Sequence, residues 1–305
     1  MRFSGHETFA CRTTWLYKGI DFLHKRRNSD NQIDITKLSG YHPTIDLGVG
    51  KNMVNAIRHW LLAFGVIDTE ENDLSEIAKL IYSDGANDNI DAFIEDNFTL
   101  WILHHEICSR NYATIFNYFF KEYFKRKSTR TFSENEFVGA LSSYIKGEGE
   151  KLPSFKSLGS DFKCLIDTYC IKKNKKATFE DNYTSLLTEL NLIKQTGFKA
   201  DKETIYELNT QAAENESTTL FATLLLKSFG KPTSTSVSLD DVYLHLGTLL
   251  LLNRDSFSKI IEKVASDFSS EFSFKQNDAT GIQELQINTG SSWMSFAKKH
   301  HYEAC

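Results

Sequence analysis

Residues 47–67, with the sequence LGVGKNMVNAIRHWLLAFGVI, decide the fold that the sequence predicts. From Lys51 onward this stretch predicts one helix, because apolar side chains recur at the three- and four-residue spacing of a buried face. These side chains are Val54, Ile57, Leu61 and Phe64. Gly65 is typical of a residue that ends a helix, and the apolar pair after it predicts the start of a strand.

The other face of this helix carries side chains that donate hydrogen bonds to phosphates and base edges. They are Lys51, Asn52, Asn55, Arg58 and His59. An apolar face opposite such a polar face is typical of a DNA-recognition helix. Residues 34–38 predict a short helix before it, which ends before Pro43. Residues 66–82, which end in LSEIAKLIY, predict the wing of a winged helix. The alternative is an ordinary amphipathic helix whose polar face is solvated.

The composition is that of a globular protein, with 41% apolar residues among 305 and a net charge of −5. This charge argues against a strongly basic nucleic-acid-binding protein. The charges are nevertheless segregated. Residues 1–59 hold nine Lys and Arg against five Asp and Glu, residues 60–100 hold one against ten, and residues 101–130 hold six against two. A local basic surface that contacts DNA is therefore compatible with an acidic protein.

Cysteine usage and hydropathy predict a cytoplasmic protein. The five cysteines are scattered, lack the spacing of a zinc site and are interpreted as reduced thiols. The first residues lack the apolar core of a signal peptide, and no apolar run reaches about 18 residues, so we expect no membrane span. Residues 48–51 resemble a phosphate-binding loop but lack its first glycine and its serine or threonine, so we expect no nucleotide there.

The segment SGHETF near the N-terminus precedes the first predicted helix and allows two interpretations. In the first, His6 serves as a general base or metal ligand, Glu7 is its partner and Arg12 clamps a phosphate. In the second, Ser4 or Thr8 caps the helix, and Glu7 supplies negative charge to its first turn.

The sequence as a whole predicts a mainly α-helical protein with two small winged-helix-like hairpins. We expect residues 1–85 to form a winged-helix-like DNA-binding domain, residues 86–150 an aromatic helical region, and residues 151–305 a C-terminal helical domain with a small β-hairpin. In the last part, residues 181–192 predict a helix and residues 193–208 a hairpin. That helix offers few side chains suited to DNA. We therefore interpret this second helix-and-hairpin unit as a copy of the first that has a structural or protein-contacting role.

Two other groups of residues invite a catalytic interpretation. His104 and His105 are adjacent on a predicted helix and point about 100° apart, which makes a shared metal ion difficult, so we expect them to be buried. The tripeptide Asp161-Phe162-Lys163 fits half of a nuclease pattern, but a match of this size arises by chance in a chain this long. No other catalytic motif is present.

Three segments together resemble a known family: FSGHETFACRTTWLYKG, LGVGKNMVNAIRHWLLAFGVI, and FTLWILHHEI followed by NYFFKEYF. The family is an uncharacterised bacterial domain family encoded in phage-defence islands, beside the PAPS-reductase-like and ATPase genes of DNA phosphorothioation systems. SLGSDFKCLIDTY and LTELNLI also fit, so the similarity covers nearly the whole chain. Ala10 lies where the family is expected to have proline. The family's shared positions are Gly5, His6, Glu7, Thr8, Arg12, Lys51, Asn52, Arg58 and Trp60.

This resemblance implies a DNA-acting component of backbone sulfur modification. In the single-strand version of that system, the protein of this family nicks DNA so that sulfur can be inserted. We therefore expect a nicking endonuclease that depends on magnesium or manganese, with His6, Glu7 and Arg12 at the chemistry and the polar face of the 51–59 helix on DNA. Its expected partners are the PAPS-reductase-like sulfur-transfer protein and the ATPase, and a homodimer is compatible with the sequence. The alternatives are a non-catalytic DNA-binding adaptor and a protein scaffold that recruits the modification enzymes.

Overall fold

The computed structural model describes residues 1–82, 90–127, 129–170, 185–231, 233–276, 283–288, 290 and 292–303. The protein is mainly helical, as the sequence predicted. It divides into two compact units, Met1–Leu208 and Asn209–Cys305. The boundaries that were expected after residues 85 and 150 both fall inside the first unit.

Eight α-helices are described in the first unit. They are α1 (Thr13–His24), α2 (His42–Leu47), α3 (Lys51–Ala63), α4 (Ala78–Ile81), α5 (Asn97–Ser109), α6 (Thr114–Asn117), α7 (Glu134–Gly147) and α8 (Phe155–Tyr169). A π-helical turn (Tyr118–Glu122) and a 3₁₀ turn (Tyr123–Arg126) continue α6, and further 3₁₀ turns cover Ile35–Lys37 and Thr188–Leu190.

Helix α3 packs against α1 and α2. The apolar stripe that the sequence predicted is confirmed, because its four side chains are completely buried. Helix α1 crosses α3 at Gly19, where an added Cβ would come within 2.8 Å of both Ile57 and Leu61. A residue without a side chain therefore allows the two helices to approach closely.

A short hairpin follows α3, as predicted. Strand β1 (Ile67–Asp68) pairs antiparallel with β2 (Asp73–Leu74). Arg27, just after α1, forms an ion pair of 2.6 Å with Asp73 and so ties the hairpin to the first helix. The hairpin is confirmed, whereas its interpretation as the wing of a winged helix remains a prediction.

The prediction for residues 34–43 is only partly correct. Residues 35–37 form a 3₁₀ turn, and helix α2 begins at His42, where the sequence predicted a break. Pro43 lies in the first turn of α2, a position where a missing N–H group costs nothing because that group has no partner within the helix. The proline therefore starts a helix instead of preventing one.

A three-stranded sheet completes the first unit. The strands are β3 (Thr131–Phe132), β4 (Ile193–Phe198) and β5 (Thr204–Leu208), in the antiparallel order β3-β5-β4. The hairpin predicted over residues 193–208 is thus confirmed. Of the helix predicted before it, residues 181–184 lie outside the described residues, and residues 185–192 contain only a 3₁₀ turn.

The second unit has its own small sheet against helices. Its helices are α9 (Thr218–Phe229), α10 (Leu239–Val242), α11 (Arg254–Asp267) and α12 (Trp293–Ala297), and π-helical turns at Tyr243–Gly247 and Lys298–Tyr302 follow α10 and α12. Its strands are β6 (Thr235–Ser238), β7 (Phe272–Gln276) and β8 (Gln283–Ile287), in the order β6-β8-β7. Within the described parts of the chain, no helix is long and apolar enough to cross a membrane.

Candidate functional site

The chain makes a tight turn near its N-terminus, which we call the N-terminal hook (residues 4–8). Before the turn, the N–H of Arg2 donates to the hydroxyl of Thr114 at 2.8 Å. Four of the five hook residues then have positive φ angles: Ser4 (64°), Gly5 (97°), Glu7 (50°) and Thr8 (67°). Residues other than glycine adopt this region at a cost in free energy, so surrounding contacts must hold the hook in place.

A buried pair of side chains provides such contacts. Nε2 of His6 lies 2.5 Å from Oδ1 of Asp161 on α8, and the N–H of Ser4 donates to the same oxygen at 2.9 Å. The N–H of Thr8 donates to Nδ1 of His6 at 3.1 Å. Because Nδ1 accepts this bond, the N–H group at Nε2 is the donor in the hydrogen bond to the carboxylate of Asp161. His6 is 4% exposed and Asp161 is 1% exposed.

These hydrogen bonds determine which side chains of the hook are accessible to a substrate. Both ring nitrogens of His6 are bonded inside the protein, so His6 holds the hook in its conformation. The side chain of Glu7 is exposed, and so is that of Arg12. Arg12 occupies the N-cap of α1 without a capping hydrogen bond, so the expectation that Ser4 or Thr8 caps this helix is wrong.

The hook lies directly on α3. Nδ2 of Asn55 donates to Oε1 of Glu7 at 3.4 Å. The rings of His6 and His59 have centroids 5.9 Å apart, and a Cβ on Gly5 would come within 2.8 Å of Nδ1 of His59. The structure therefore brings His6 and Glu7 of the first predicted group of site residues against His59 and Asn55 of the second, whereas it shows no contact between Arg12 and α3 among the described residues.

The polar residues of α3 are not equally accessible. Lys51 and Asn52 are exposed, and Asn55 and Arg58 are partly exposed. The prediction that His59 belongs to this exposed face is wrong, because it is only 4% exposed. Burial, and after it the nearby His6 and Arg2, lower the pKa of His59 to about 3.

Several buried polar atoms of α3 and α8 lack a hydrogen-bond partner among the described residues. They are both ring nitrogens of His59, Nε of Arg58 and Oδ2 of Asp161. Leaving such atoms unpaired costs free energy, and buried groups of this kind are uncommon in folded proteins. These unpaired atoms reduce the stability of the folded protein locally, so other contacts must compensate for them.

The side chains of this region do not form a preassembled metal site. Across the described ranges, no three His, Cys, Asp or Glu side chains are grouped to hold a metal ion. Glu7 offers an exposed carboxylate, whereas Asp161 is bonded to His6. Magnesium is often held by one or two carboxylates together with substrate phosphates. Glu7 could therefore hold a magnesium ion only together with further oxygen ligands, such as the phosphates of a bound substrate.

Sequence reasoning missed the importance of Asp161. The tripeptide that contains it matches a nuclease pattern no better than chance allows, and its partner His6 lies 155 positions away. One signal was present: Asp161 lies on the apolar face of α8, together with Leu158 and Leu165. A carboxylate at such a position is almost always paired. The prediction that His104 and His105 are buried is confirmed.

Two crystal structures of the protein SspB, one of them described as bound to a magnesium ion, share this architecture. Their TM-scores are 0.74 and 0.72; each is 19% identical in sequence, and each match covers 99% of this chain and 94% of the SspB chain. At this identity the likeness establishes a common fold. The chain belongs to the DUF4007 family, described as a protein of unknown function, which matches residues 3–300. No curated protein matches the sequence.

Proposed function

We propose that this protein is a DNA-binding component of a bacterial DNA phosphorothioation system and that it nicks DNA for sulfur insertion. The observation that carries the proposal is the position of the N-terminal hook on the polar face of α3, since Glu7 and Asn55 are in contact. The fold supports it, because SspB is a component of such a system. The expected protein partners are the PAPS-reductase-like and ATPase components.

The first turn of α3 provides the DNA-binding surface in this proposal. Its N-cap is Gly50, which contributes no side chain, and Lys51 and Asn52 follow as exposed residues. Uncapped N–H groups at a helix N-terminus, next to a lysine, favour a phosphate group. Asn55 and Arg58 extend the same surface along the helix and supply donors for phosphate oxygens or base edges.

Glu7 is the residue that we assign to nicking. Asn55, in the second turn of α3, contacts its carboxylate, so a phosphate bound by the first turns of this helix would lie near Glu7. Magnesium or manganese, held by Glu7 together with DNA phosphates, would polarise the scissile phosphate. We assign Arg12, which is exposed and positively charged, to the neutralisation of charge on the DNA phosphates. His6 and Asp161 act indirectly, by holding the hook and hence Glu7.

A second candidate function is that of a non-catalytic adaptor, which binds DNA and recruits the sulfur-transfer enzymes. Two observations favour it: both ring nitrogens of His6 are bonded within the protein, and the described residues contain no group of three metal-ligating side chains. The adaptor and the nickase share the DNA surface and differ in the role of Glu7.

Relaxation of supercoiled plasmid, measured with magnesium and with manganese, separates these functions. The nickase predicts open-circular product with the wild type and with Glu70→Gln, an exposed control on the hairpin, and none with Glu7→Gln. DNA binding without product from any variant would establish the adaptor. Product from Glu7→Gln at the wild-type rate would contradict the assignment of Glu7, and absence of DNA binding would leave only the scaffold interpretation.

A further inference from the structure

A cavity of about 750 Å³ lies in the first unit, between α7 and the turns that continue α6. Its volume is within the range of about 300–1,000 Å³ that is typical of small-molecule sites. None of its lining residues belongs to the hook or to α3. The cavity is therefore separate from the DNA surface proposed above.

Tyrosine rings form much of the cavity wall. The ring centroids of Tyr118 and Tyr144 lie 4.7 Å apart with a tilt of 31°, and those of Tyr118 and Tyr123 lie 6.2 Å apart. Tyr118 and Tyr123 are buried, whereas Tyr144 is partly exposed. The faces of aromatic rings carry partial negative charge and attract cations.

Carboxylates add negative charge at the Tyr144 end. Burial raises the pKa of Tyr144, and the nearby carboxylates of Glu148 and Glu122 raise it further. Glu122 pairs with Lys125 at 2.7 Å, and both side chains are exposed by more than a third. Among the ion pairs of the described residues, none involves Glu148. This end of the cavity therefore combines an accessible ring with uncompensated negative charge.

The opposite end of the cavity already holds a cation of the protein itself. The ammonium group of Lys127 lies 2.8 Å from Oε2 of Glu136 and 5.4 Å from the ring centroid of Tyr123, and it donates to that tyrosine's hydroxyl at 3.3 Å. One tyrosine and one carboxylate thus bind an ammonium group at this end. The Tyr144 end presents the same pair of groups to solvent.

We propose that the Tyr144 end of this cavity binds an organic cation, an ammonium or guanidinium group that contacts the tyrosine ring and pairs with Glu148, while Glu122 adds negative charge nearby. An arginine side chain of a partner protein and a free polyamine share this chemistry. The positive charge is essential to the proposal, because it distinguishes recognition by rings and carboxylates from simple filling of an apolar cavity.

Ligand-detected NMR on the full chain tests the inference with three probes. N-acetylarginine amide represents a partner's arginine, spermidine represents a polyamine, and N-acetylcitrulline amide is a neutral control of the same shape as the first. We expect at least one cation to bind at least about fivefold more tightly than the citrulline compound, a difference typical of a cation–π contact with a carboxylate. The cation that binds more tightly shows whether the site takes an arginine side chain of a partner protein or a polyamine. Equal binding of arginine and citrulline compounds, without spermidine binding, would overturn the proposal, as would no binding of either cation.

Two variants locate the site. Gly147 lines the cavity, and a Cβ at this position meets nothing within 4 Å, so Gly147→Leu should fill the space and abolish binding. Gly139 lies on the same helix with equally open surroundings but outside the lining, so Gly139→Leu should bind like the wild type. Unchanged binding by Gly147→Leu would overturn the inference.

A surface substitution keeps the test valid if the leucine variants fold poorly. Glu148 is exposed and contributes charge without filling the core. Glu148→Gln should therefore keep the fold and weaken cation binding by about fivefold, while leaving any binding of the citrulline compound unchanged. Equal affinity for the cations in this variant and the wild type would contradict the role of the carboxylate.

Discussion

The imidazole of His6 and the carboxylate of Asp161 meet at 2.5 Å although they lie 155 positions apart in the chain. The contact joins the N-terminal hook to α8, and the hook in turn covers α3. Asp161 therefore acts on the exposed Glu7 from a distance, because it fixes the turn from which that side chain extends. The site depends on a helix that contributes no exposed group to it.

Replacing Asp161 should destabilise the protein strongly. Asp161→Ala leaves the buried N–H groups of His6 and Ser4 without an acceptor, and we expect a loss of about 3 kcal/mol in the free energy of unfolding. Asp161→Asn retains an acceptor oxygen and should lose less. Urea unfolding followed by circular dichroism measures both, with the exposed Asp30→Ala as control. An Asp161→Ala variant as stable as the control would show that the pair does not hold the hook.

Gly5 should tolerate alanine less well than another glycine with a similar backbone. Gly5 has φ +97°, and an added Cβ would lie 2.8 Å from Nδ1 of His59, whereas Gly40 has φ +82° with nothing within 4 Å. Gly40→Ala should therefore lower the free energy of unfolding by about 1 kcal/mol, from backbone strain alone. Gly5→Ala should lower it by at least about 1 kcal/mol more, because the added Cβ also collides with His59. Thermal unfolding of the two variants gives the comparison. Equal losses would mean that the hook moves away from α3 without penalty.

The sequence predicts those parts of the fold that depend on local pattern. The stripe on α3 and the hairpin of β4 and β5 follow from periodicity, because each element buries one face against its neighbours. Periodicity reports only the face that packs on the core. His59 lies opposite that stripe, so periodicity predicts that it is exposed, but the hook covers it. Its burial depends on a contact with residues more than 50 positions away, which no local pattern contains.

DNA binding should depend on Lys51 through counterion release. If its ammonium group neutralises one phosphate, Lys51→Gln lowers affinity and reduces the slope of log affinity against log salt concentration by about one. Lys156→Gln, exposed on α8, is the matched control and should leave the slope unchanged. Fluorescence anisotropy with a labelled duplex at several salt concentrations measures the slopes. The same slope for Lys51→Gln and the wild type would exclude this turn of α3 from the DNA surface.

His59 should make the protein less stable as the pH falls below neutrality. The pKa of this residue is lowered from 6.5 to about 3 in the folded protein. Between these values the unfolded chain binds a proton that the folded protein does not, so the free energy of unfolding decreases by about 1 kcal/mol per pH unit as the pH falls. Above pH 6.5 this effect no longer lowers the free energy of unfolding.

The variant His59→Gln cannot bind that proton, so its free energy of unfolding should decline less steeply between about pH 6 and pH 4. The exposed His42→Gln controls for the loss of an imidazole. Urea unfolding at a series of pH values gives the slopes, and parallel curves for the wild type and His59→Gln would show that the imidazole beneath the hook is protonated in the folded protein.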